Sequence, residues 1–175
     1  MFSIFEKLSW LKMKKYLKYI LLCLFSFGFL GCEKDDICAQ EDPNTQAVVI
    51  EFYNKDERTK TKIPPGLLAY VTGYDIAIKA NGNVLTLPLL INANTTSWNL
   101  VLNGDDSIEG NEIIDVLTFN YEVEQQYVSK ACGYKANFIL DETNGVVSTY
   151  NWINSIEIIN SNIINPNEVH LKIYF

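Results

Sequence analysis

Three separate stretches of the chain alternate apolar and polar side chains, and this pattern constrains the fold more than any other feature. In the clearest stretch, residues 117–124 (LTFNYEVE), every second side chain is apolar. Residues 134–141 and 169–175 repeat the pattern. Because successive side chains of a β-strand point to opposite faces, alternation with a period of two predicts strands with one buried face.

Shorter apolar runs, separated by turn residues, predict further strands. They lie at residues 47–53, 67–72, 75–79, 84–87, 95–102 and 156–158. No stretch after Cys32 has a helical period. About eight short strands predict an all-β fold over 47–175, an antiparallel β-sandwich of immunoglobulin-like type. A small β-barrel is the alternative.

Two turn signals are more specific. Asn81 and Gly82 stand between apolar runs and predict a hairpin, since both central residues of a type I′ turn need positive φ. Pro88 follows the apolar run 84–87 and predicts an edge strand or a strand end, because proline cannot donate a backbone hydrogen bond.

The N-terminal stretch predicts a secretory signal over residues 1–31, with Met13 as the true start. Met13 is followed by Lys14, Lys15 and Lys18, and then by an uncharged run, residues 19–31. This run is shorter than the about 20 residues that a membrane-spanning helix needs. Residues 32–46 are then a polar tether.

The end of this signal, Phe29-Leu30-Gly31-Cys32, resembles the lipobox of bacterial lipoproteins, in which a small residue precedes the lipidated cysteine. The resemblance implies lipidation of Cys32 and a membrane anchor. An ordinary signal peptide with an incidental cysteine is the alternative.

The residues that follow, Lys34, Asp35 and Asp36, resemble the export signal that sends Bacteroidetes lipoproteins to the outer face of the outer membrane. A solvated charged linker is the alternative reading. The protein is therefore expected at the outer membrane, at the cell surface or on the periplasmic face.

The charge of the exported chain excludes one class of partner. Without residues 1–31, 9 basic and 20 acidic residues remain, a net charge of −11. Such a surface repels phosphate backbones, so nucleic acid is not an expected partner, whereas cations and cationic partners are favoured.

Two cysteines, Cys38 and Cys132, remain beyond Cys32. In an oxidising compartment they predict a disulfide, which would contribute about 4–5 kcal/mol by closing a long loop. Two unpaired buried cysteines are the alternative. The chain has a single histidine, His170, so a tetrahedral zinc site is not expected.

The acidic loop, residues 103–112 (NGDDSIEGNE), is the candidate metal site. Its hard oxygen ligands, suited to calcium, are Asp105, Asp106, Glu109 and Glu112. The EF-hand spacing fails because Ile108 and Ile114 occupy the glycine and bidentate glutamate positions. A solvated acidic turn without metal is therefore expected, and no cofactor. Separately, Asp106-Ser107-Ile108 resembles the sequence at which Bacteroidetes attach O-glycans, which makes Ser107 a candidate glycosylation site.

Catalytic motifs are missing from the sequence. His170 falls on the polar phase of the last strand and is expected to be exposed, and no serine lies in a nucleophile-elbow pattern. Trp98 is expected in the core, while Tyr150 and Trp152 are expected to be exposed. Aromatic residues that could stack on sugars are Tyr53, Tyr70, Tyr74, Trp98, Tyr127, Tyr150 and Trp152.

Five features together resemble a family of small Bacteroidetes lipoproteins of unknown function. They are the lipobox, the charged export stretch, Cys38, Leu87-Pro88-Leu89 and Cys132-Gly133-Tyr134. The resemblance implies an exported β-rich domain and no particular activity. We therefore expect a non-enzymatic lipoprotein with a structural role or a protein or glycan ligand. A glycan-processing enzyme that depends on paired carboxylates is the alternative.

Overall fold

The computed structural model describes Cys38, residues 45–105, Ile108 and residues 110–175. These residues form eleven strands, and no described residue belongs to a helix. The strands are β1 (Ala47–Tyr53), β2 (Leu68–Tyr70), β3 (Ala77–Lys79), β4 (Val84–Pro88), β5 (Thr95–Leu102), β6 (Ile113–Ser129), β7 (Gly133–Leu140), β8 (Val146–Ser148), β9 (Ser155–Ile158), β10 (Asn162–Ile163) and β11 (Leu171–Tyr174).

The strands form two sheets, which confirms the predicted all-β sandwich. The four-stranded sheet has the order β4-β1-β11-β9. The seven-stranded sheet has the order β10-β7-β6-β5-β2-β3, with β8 paired to β6. Neither sheet closes on itself. The predicted count was too low because strands of two or three residues, such as β8 and β10, are too short to show alternation.

Strand β6 connects most of the larger sheet. Its first half, Ile113 to Asn120, pairs with β5, and its second half, from Tyr121, pairs with β7. The short β8 pairs with Leu117–Phe119. The alternation that was clearest in the sequence therefore belongs to the strand with the most partners.

The inward faces of both sheets form one buried core. Ile50 and Phe52 come from the smaller sheet, and Leu100, Phe119 and Phe138 from the larger. All five are fully buried. Burying a side chain of this size contributes about 1.5–3 kcal/mol, so this core is the main stabilising contact between the sheets.

One strand pair is parallel, although an antiparallel sandwich was expected. The last strand, β11, lies between β1 and β9 and pairs in parallel with β1, with Ile50 opposite Leu171. A parallel pair needs a long connection between its strands. Here the parallel pair is formed by the first and last strands, and the chain between them, β2 to β10, provides the long connection.

The predicted turn at Asn81 and Gly82 forms and closes with an antiparallel bridge between Asn81 and Val84, but the hairpin does not extend beyond this bridge. The Asn81 N–H donates to the Val84 carbonyl (2.8 Å), and Gly82 has φ +63°. However, β3 belongs to the seven-stranded sheet and β4 to the four-stranded sheet. The turn carries the chain across the sandwich, because each strand has a partner that covers more of its length.

The edge position predicted from Pro88 is confirmed, since β4 is the terminal strand of its sheet. The predicted signal segment, the lipidation site Cys32 and the export residues Lys34, Asp35 and Asp36 lie outside the described residues. In the described part of the chain, no helix has the length and apolar character needed to cross a membrane.

Candidate functional site

An apolar pocket of about 190 Å³ opens at the side of the sandwich where β3 and β4 are the terminal strands of the two sheets. Its lining comes from the ends of β2, β3 and β4 and from the inward face of β5. The lining residues are Val71, Tyr74, Ile76, Ile78, Pro88, Leu89, Leu90, Thr96 and Trp98.

Two polar side chains that line this pocket, Trp98 and Thr96, are already hydrogen-bonded within the protein. The indole N–H of Trp98 donates to the Pro88 carbonyl (3.2 Å). The Thr96 hydroxyl accepts a bond from the Leu90 N–H (3.1 Å) and pairs with the Tyr121 hydroxyl (2.6 Å). Because these groups have partners, the pocket offers a ligand mainly hydrocarbon surface.

The rim of the pocket is apolar and exposed. The exposed fractions are 59% for Tyr74, 70% for Ile76 and 37% for Leu90, and the neighbouring Ile91 is 55% exposed. Clustered exposed apolar side chains of this kind mark interaction sites more often than single ones do.

A second pocket, of about 360 Å³, lies on the outer face of the seven-stranded sheet. Tyr74 and Ile76 line both pockets, so the β2–β3 turn forms a ridge between them. The second pocket also contains two carboxylates, Asp75 and Glu112, and the ring of Tyr70. It is therefore the polar, acidic neighbour of the apolar pocket.

Two carboxylates of the acidic loop, Asp105 and Glu112, are described by the structure, and each has a partner within the protein. Asp105 forms an ion pair with Lys79, and the carboxylate of Glu112 accepts a bond from the Gly110 N–H (2.9 Å). Asp106, Ser107 and Glu109 lie outside the described residues. Among the described residues, no three His, Cys, Asp or Glu side chains form a group that could hold a metal ion.

Asp115 is a buried carboxylate that the sequence interpretation did not single out. One oxygen, Oδ1, accepts bonds from the Thr149 hydroxyl (2.6 Å) and the Asn151 N–H (2.7 Å). The other, Oδ2, accepts bonds from the N–H groups of Trp152 and Ile153 (both 2.8 Å). Asp115 lies on the same face of β6 as the buried residues Leu117 and Phe119. A charged residue in the apolar phase of a strand was the sequence signal that could have identified it.

The bonds to Asp115 also set its charge. Burial by itself raises the pKa of this carboxyl, but the four hydrogen bonds outweigh burial and hold the pKa below its usual value. The carboxylate curves the 149–153 segment, where Tyr150 has the unusual φ of +56° for a residue other than glycine. Its role is structural, since all its bonds go to this segment.

His170 is fully buried, so the predicted exposed position is wrong. Its ring Nδ1 accepts a bond from the Val49 N–H (3.0 Å), while the backbone N–H of His170 donates to the Val49 carbonyl (2.9 Å). The backbone bond extends the β1–β11 pairing by one residue, and the side chain adds a second bond to the same residue of β1. Burial lowers the pKa of His170, although the charge of Glu168 opposes this shift.

The aromatic predictions have mixed outcomes. Trp98 is in the core as expected, and Tyr150 is 52% exposed as expected. Trp152 was expected to be exposed, but it packs against the core beside Phe52 and Phe175, with ring centroids 6.2 and 5.5 Å away. Its indole N–H also donates to a backbone carbonyl of β5, and these contacts leave Trp152 half-buried rather than exposed.

Two of the other candidate rings, Tyr53 and Tyr127, have partners of their own. Tyr53 packs on Tyr174, and its hydroxyl donates to Glu51 (2.7 Å), which is the main reason that its pKa rises to about 12. Tyr127 and Tyr134 pack edge to face across the β6–β7 pair, with centroids 5.4 Å apart. Neither Tyr127 nor Tyr134 lines the apolar pocket or the acidic pocket.

Cys38 and Cys132 are both disulfide-bonded, which confirms the predicted disulfide.

Among the described residues, the two carboxyl groups with shifted pKa values do not resemble a catalytic acid. The pKa of Asp115 is lowered, and so is that of Asp141, which accepts bonds from the N–H groups of Asn144 and Thr143. A glycosidase needs a carboxylic acid whose pKa is raised so that it keeps its proton. Neither group fits that role.

The comparison with protein families is consistent with a domain without assigned activity. Residues 69–175 match a family of unknown function, DUF6452, and the match covers more than half of the chain. The chain belongs to this family. The DUF6452 region includes the whole lining of the apolar pocket and, except for Leu68, that of the acidic one. No curated protein and no solved structure matches the chain.

Membership of DUF6452 confirms part of the resemblance seen in the sequence, namely that the chain belongs to an uncharacterised family. The link to Bacteroidetes lipoproteins stays a prediction.

Proposed function

We propose that the protein is a non-catalytic binding protein of the bacterial envelope, anchored through a lipid on Cys32. Its apolar pocket receives an apolar side chain of a protein partner. The observation that carries the proposal is a pocket lined almost entirely by apolar side chains, at the side of the sandwich where both sheets end.

The chemistry of the pocket favours a protein over a glycan. A sugar presents hydroxyl groups that need hydrogen-bond partners when they lose water, and an unpaired buried polar group is costly. The Trp98 N–H and the Thr96 hydroxyl are already bonded inside the protein. A branched apolar or aromatic side chain needs no such partner.

The size of the pocket favours one side chain over a whole small molecule. Pockets that enclose a drug-sized ligand measure about 300–1,000 Å³, and this one measures about 190 Å³. In protein interfaces, a few anchor side chains inserted into apolar pockets carry most of the binding energy. The exposed rim of Tyr74, Ile76 and Leu90 would then pack around such an anchor.

The place in the envelope is supported by the sequence. The basic start and apolar run of residues 13–31, the lipobox ending in Cys32 and the charged residues after it all favour export and lipidation. A disulfide suits an oxidising compartment outside the cytoplasm, and both Cys38 and Cys132 are disulfide-bonded.

The proposal is tested by titrating the full-length protein, in lipid nanodiscs, with N-acetyl-leucinamide and N-acetyl-phenylalaninamide. The indole N–H signal of Trp98, which lines the pocket, reports binding in nuclear magnetic resonance spectra. The signal of Trp152, which donates to the Leu100 carbonyl, is the internal reference. We expect the Trp98 signal to shift and saturate while that of Trp152 stays unchanged.

Two variants make the test specific. Leu90→Glu places a charge on the pocket rim and should abolish the Trp98 shift. Ile164→Glu changes a side chain of similar exposure (51%) that does not line the pocket, and it should leave the shift intact. If Trp98 does not respond in the wild type, or both variants respond alike, the pocket does not bind apolar side chains.

A further inference from the structure

The outer edge of β3 is open next to both pockets. Strand β3 is the last strand of the seven-stranded sheet, and among the described strands it pairs with β2 alone. Ala77 and Lys79 are exposed, and Ile78 between them is half-buried. An exposed strand edge presents unpaired N–H and C=O groups, to which an extended segment of another protein can add.

The two faces of β3 lead to different pockets. Ile78 is opposite Ala69, which is fully buried, so Ile78 faces the core and lines the apolar pocket. Ala77 is opposite Tyr70, and both line the acidic pocket on the outer face. The open edge therefore runs between an apolar pocket on one side and an acidic pocket on the other.

A strand added to this edge would place its successive side chains in the two pockets in turn. Neighbouring strands lie about 4.8 Å apart, and their side chains alternate between the faces of the sheet. The residue opposite Ile78 would point toward the apolar pocket. The residue opposite Ala77 would point toward the acidic pocket, where Tyr74 and Ile76 form the shared ridge, and the residue opposite Lys79 would lie on the same outer face beside the Lys79–Asp105 ion pair.

The charge on the outer face selects the residues that fit there. Asp75 and Glu112 line the acidic pocket, and the nearby Lys79 is paired with Asp105. The exported chain as a whole carries a net charge of −11. A basic side chain is therefore complementary to the outer pocket, and opposite charges at an interface favour the encounter and select the partner.

We propose that the β3 edge binds an extended segment of a partner protein in which apolar and basic residues alternate. This inference rests on the proposed function, since it names the partner of the same apolar pocket. The three-residue length of β3 limits the match to a short segment, which also protects the edge against uncontrolled association.

The test measures binding of dye-labelled peptides to the full-length protein in lipid nanodiscs by fluorescence anisotropy. The first peptide alternates Phe and Lys. The second has the same side chains but carries N-methyl groups on alternate backbone amides, which blocks strand pairing. The third alternates Phe and Glu. We expect the first to bind about tenfold or more tightly than either of the others.

Protein variants separate the outer pocket from general charge. Glu112→Gln should weaken the Phe-Lys peptide about two- to fivefold. Glu142→Gln removes an exposed carboxylate outside both pockets and should have no effect. Equal losses in the two variants would refute a specific role for the acidic pocket.

The outcomes also distinguish this inference from the proposed function. If N-acetyl-leucinamide shifts the Trp98 signal but the N-methylated peptide binds as well as the unmodified one, the pocket function stands and strand addition is refuted. If the small probe does not shift the Trp98 signal, the proposed function is refuted, and the strand-addition inference that rests on it is refuted too. Equal binding of the Lys and Glu peptides would refute the basic partner.

Discussion

Replacing Asp115 with Asn exchanges one carboxylate oxygen for an NH₂ group and leaves the shape of the side chain nearly unchanged. In the native protein each oxygen accepts two hydrogen bonds from the 149–153 segment. The amide has one oxygen left for these bonds. Its NH₂ group would face two N–H or O–H donors, which cannot bond to it.

The magnitude follows from the two bonds that are lost. A hydrogen bond to a charged group contributes about 1.5–3 kcal/mol. If the remaining oxygen keeps Thr149 and Asn151, the bonds from Trp152 and Ile153 disappear. The free energy of unfolding should then fall by about 3–6 kcal/mol, a large fraction of the about 5–15 kcal/mol that stabilises a typical domain.

Chemical denaturation of the wild type and of Asp115→Asn measures this difference. Asp141→Asn is the matched control, because Asp141 also accepts two backbone N–H bonds, from Thr143 and Asn144, but in an exposed turn. The control should unfold close to the wild type. A loss below about 1 kcal/mol in Asp115→Asn, smaller than a single bond to the carboxylate should contribute, would refute the reasoning.

Three further predictions concern pH, membrane display and calcium. Because the pKa of buried His170 is lowered, the unfolded state takes up its proton first, so stability should fall as pH drops below about 6.5. His170→Asn, whose amide oxygen can still accept the Val49 N–H, should flatten this fall, measured as melting temperature against pH; an unchanged slope would contradict it. Protease added to intact cells should digest the wild type but spare a variant with Lys34, Asp35 and Asp36 replaced by alanine, and protection of both would contradict surface export. Millimolar calcium should not raise the melting temperature, and a rise of several degrees would show that the acidic loop binds it.

The strands with long alternating patterns could be predicted from the sequence because their register is set by which face is buried. Residues 117–124 lie within β6, and residues 134–140 within β7. The same reasoning placed Trp98 in the core and Pro88 on an edge strand. These are local properties, since the alternation and the missing N–H of proline act within a few residues.

The candidate site needed the tertiary structure. Val71, Leu89 and Trp98 are ordinary apolar residues in sequence, and they line one pocket only because two sheets end side by side. The acidic pocket likewise brings Asp75 and Glu112 together from distant parts of the chain. No local sequence pattern predicts such contacts between residues that are far apart in the chain.

Asp115 and His170 show where the local sequence pattern stops being sufficient and the tertiary structure is needed. Each is polar and stands where local pattern alone misjudges it: Asp115 on the inward phase of β6, and His170 on the outer phase at the start of the last strand. Whether a buried polar group is tolerated depends on the bonds it finds, and these come from residues more than 30 positions away. The sequence by itself determined the strands and the sandwich through side-chain alternation, whereas the tertiary structure decided the partners, the pockets and the open edge.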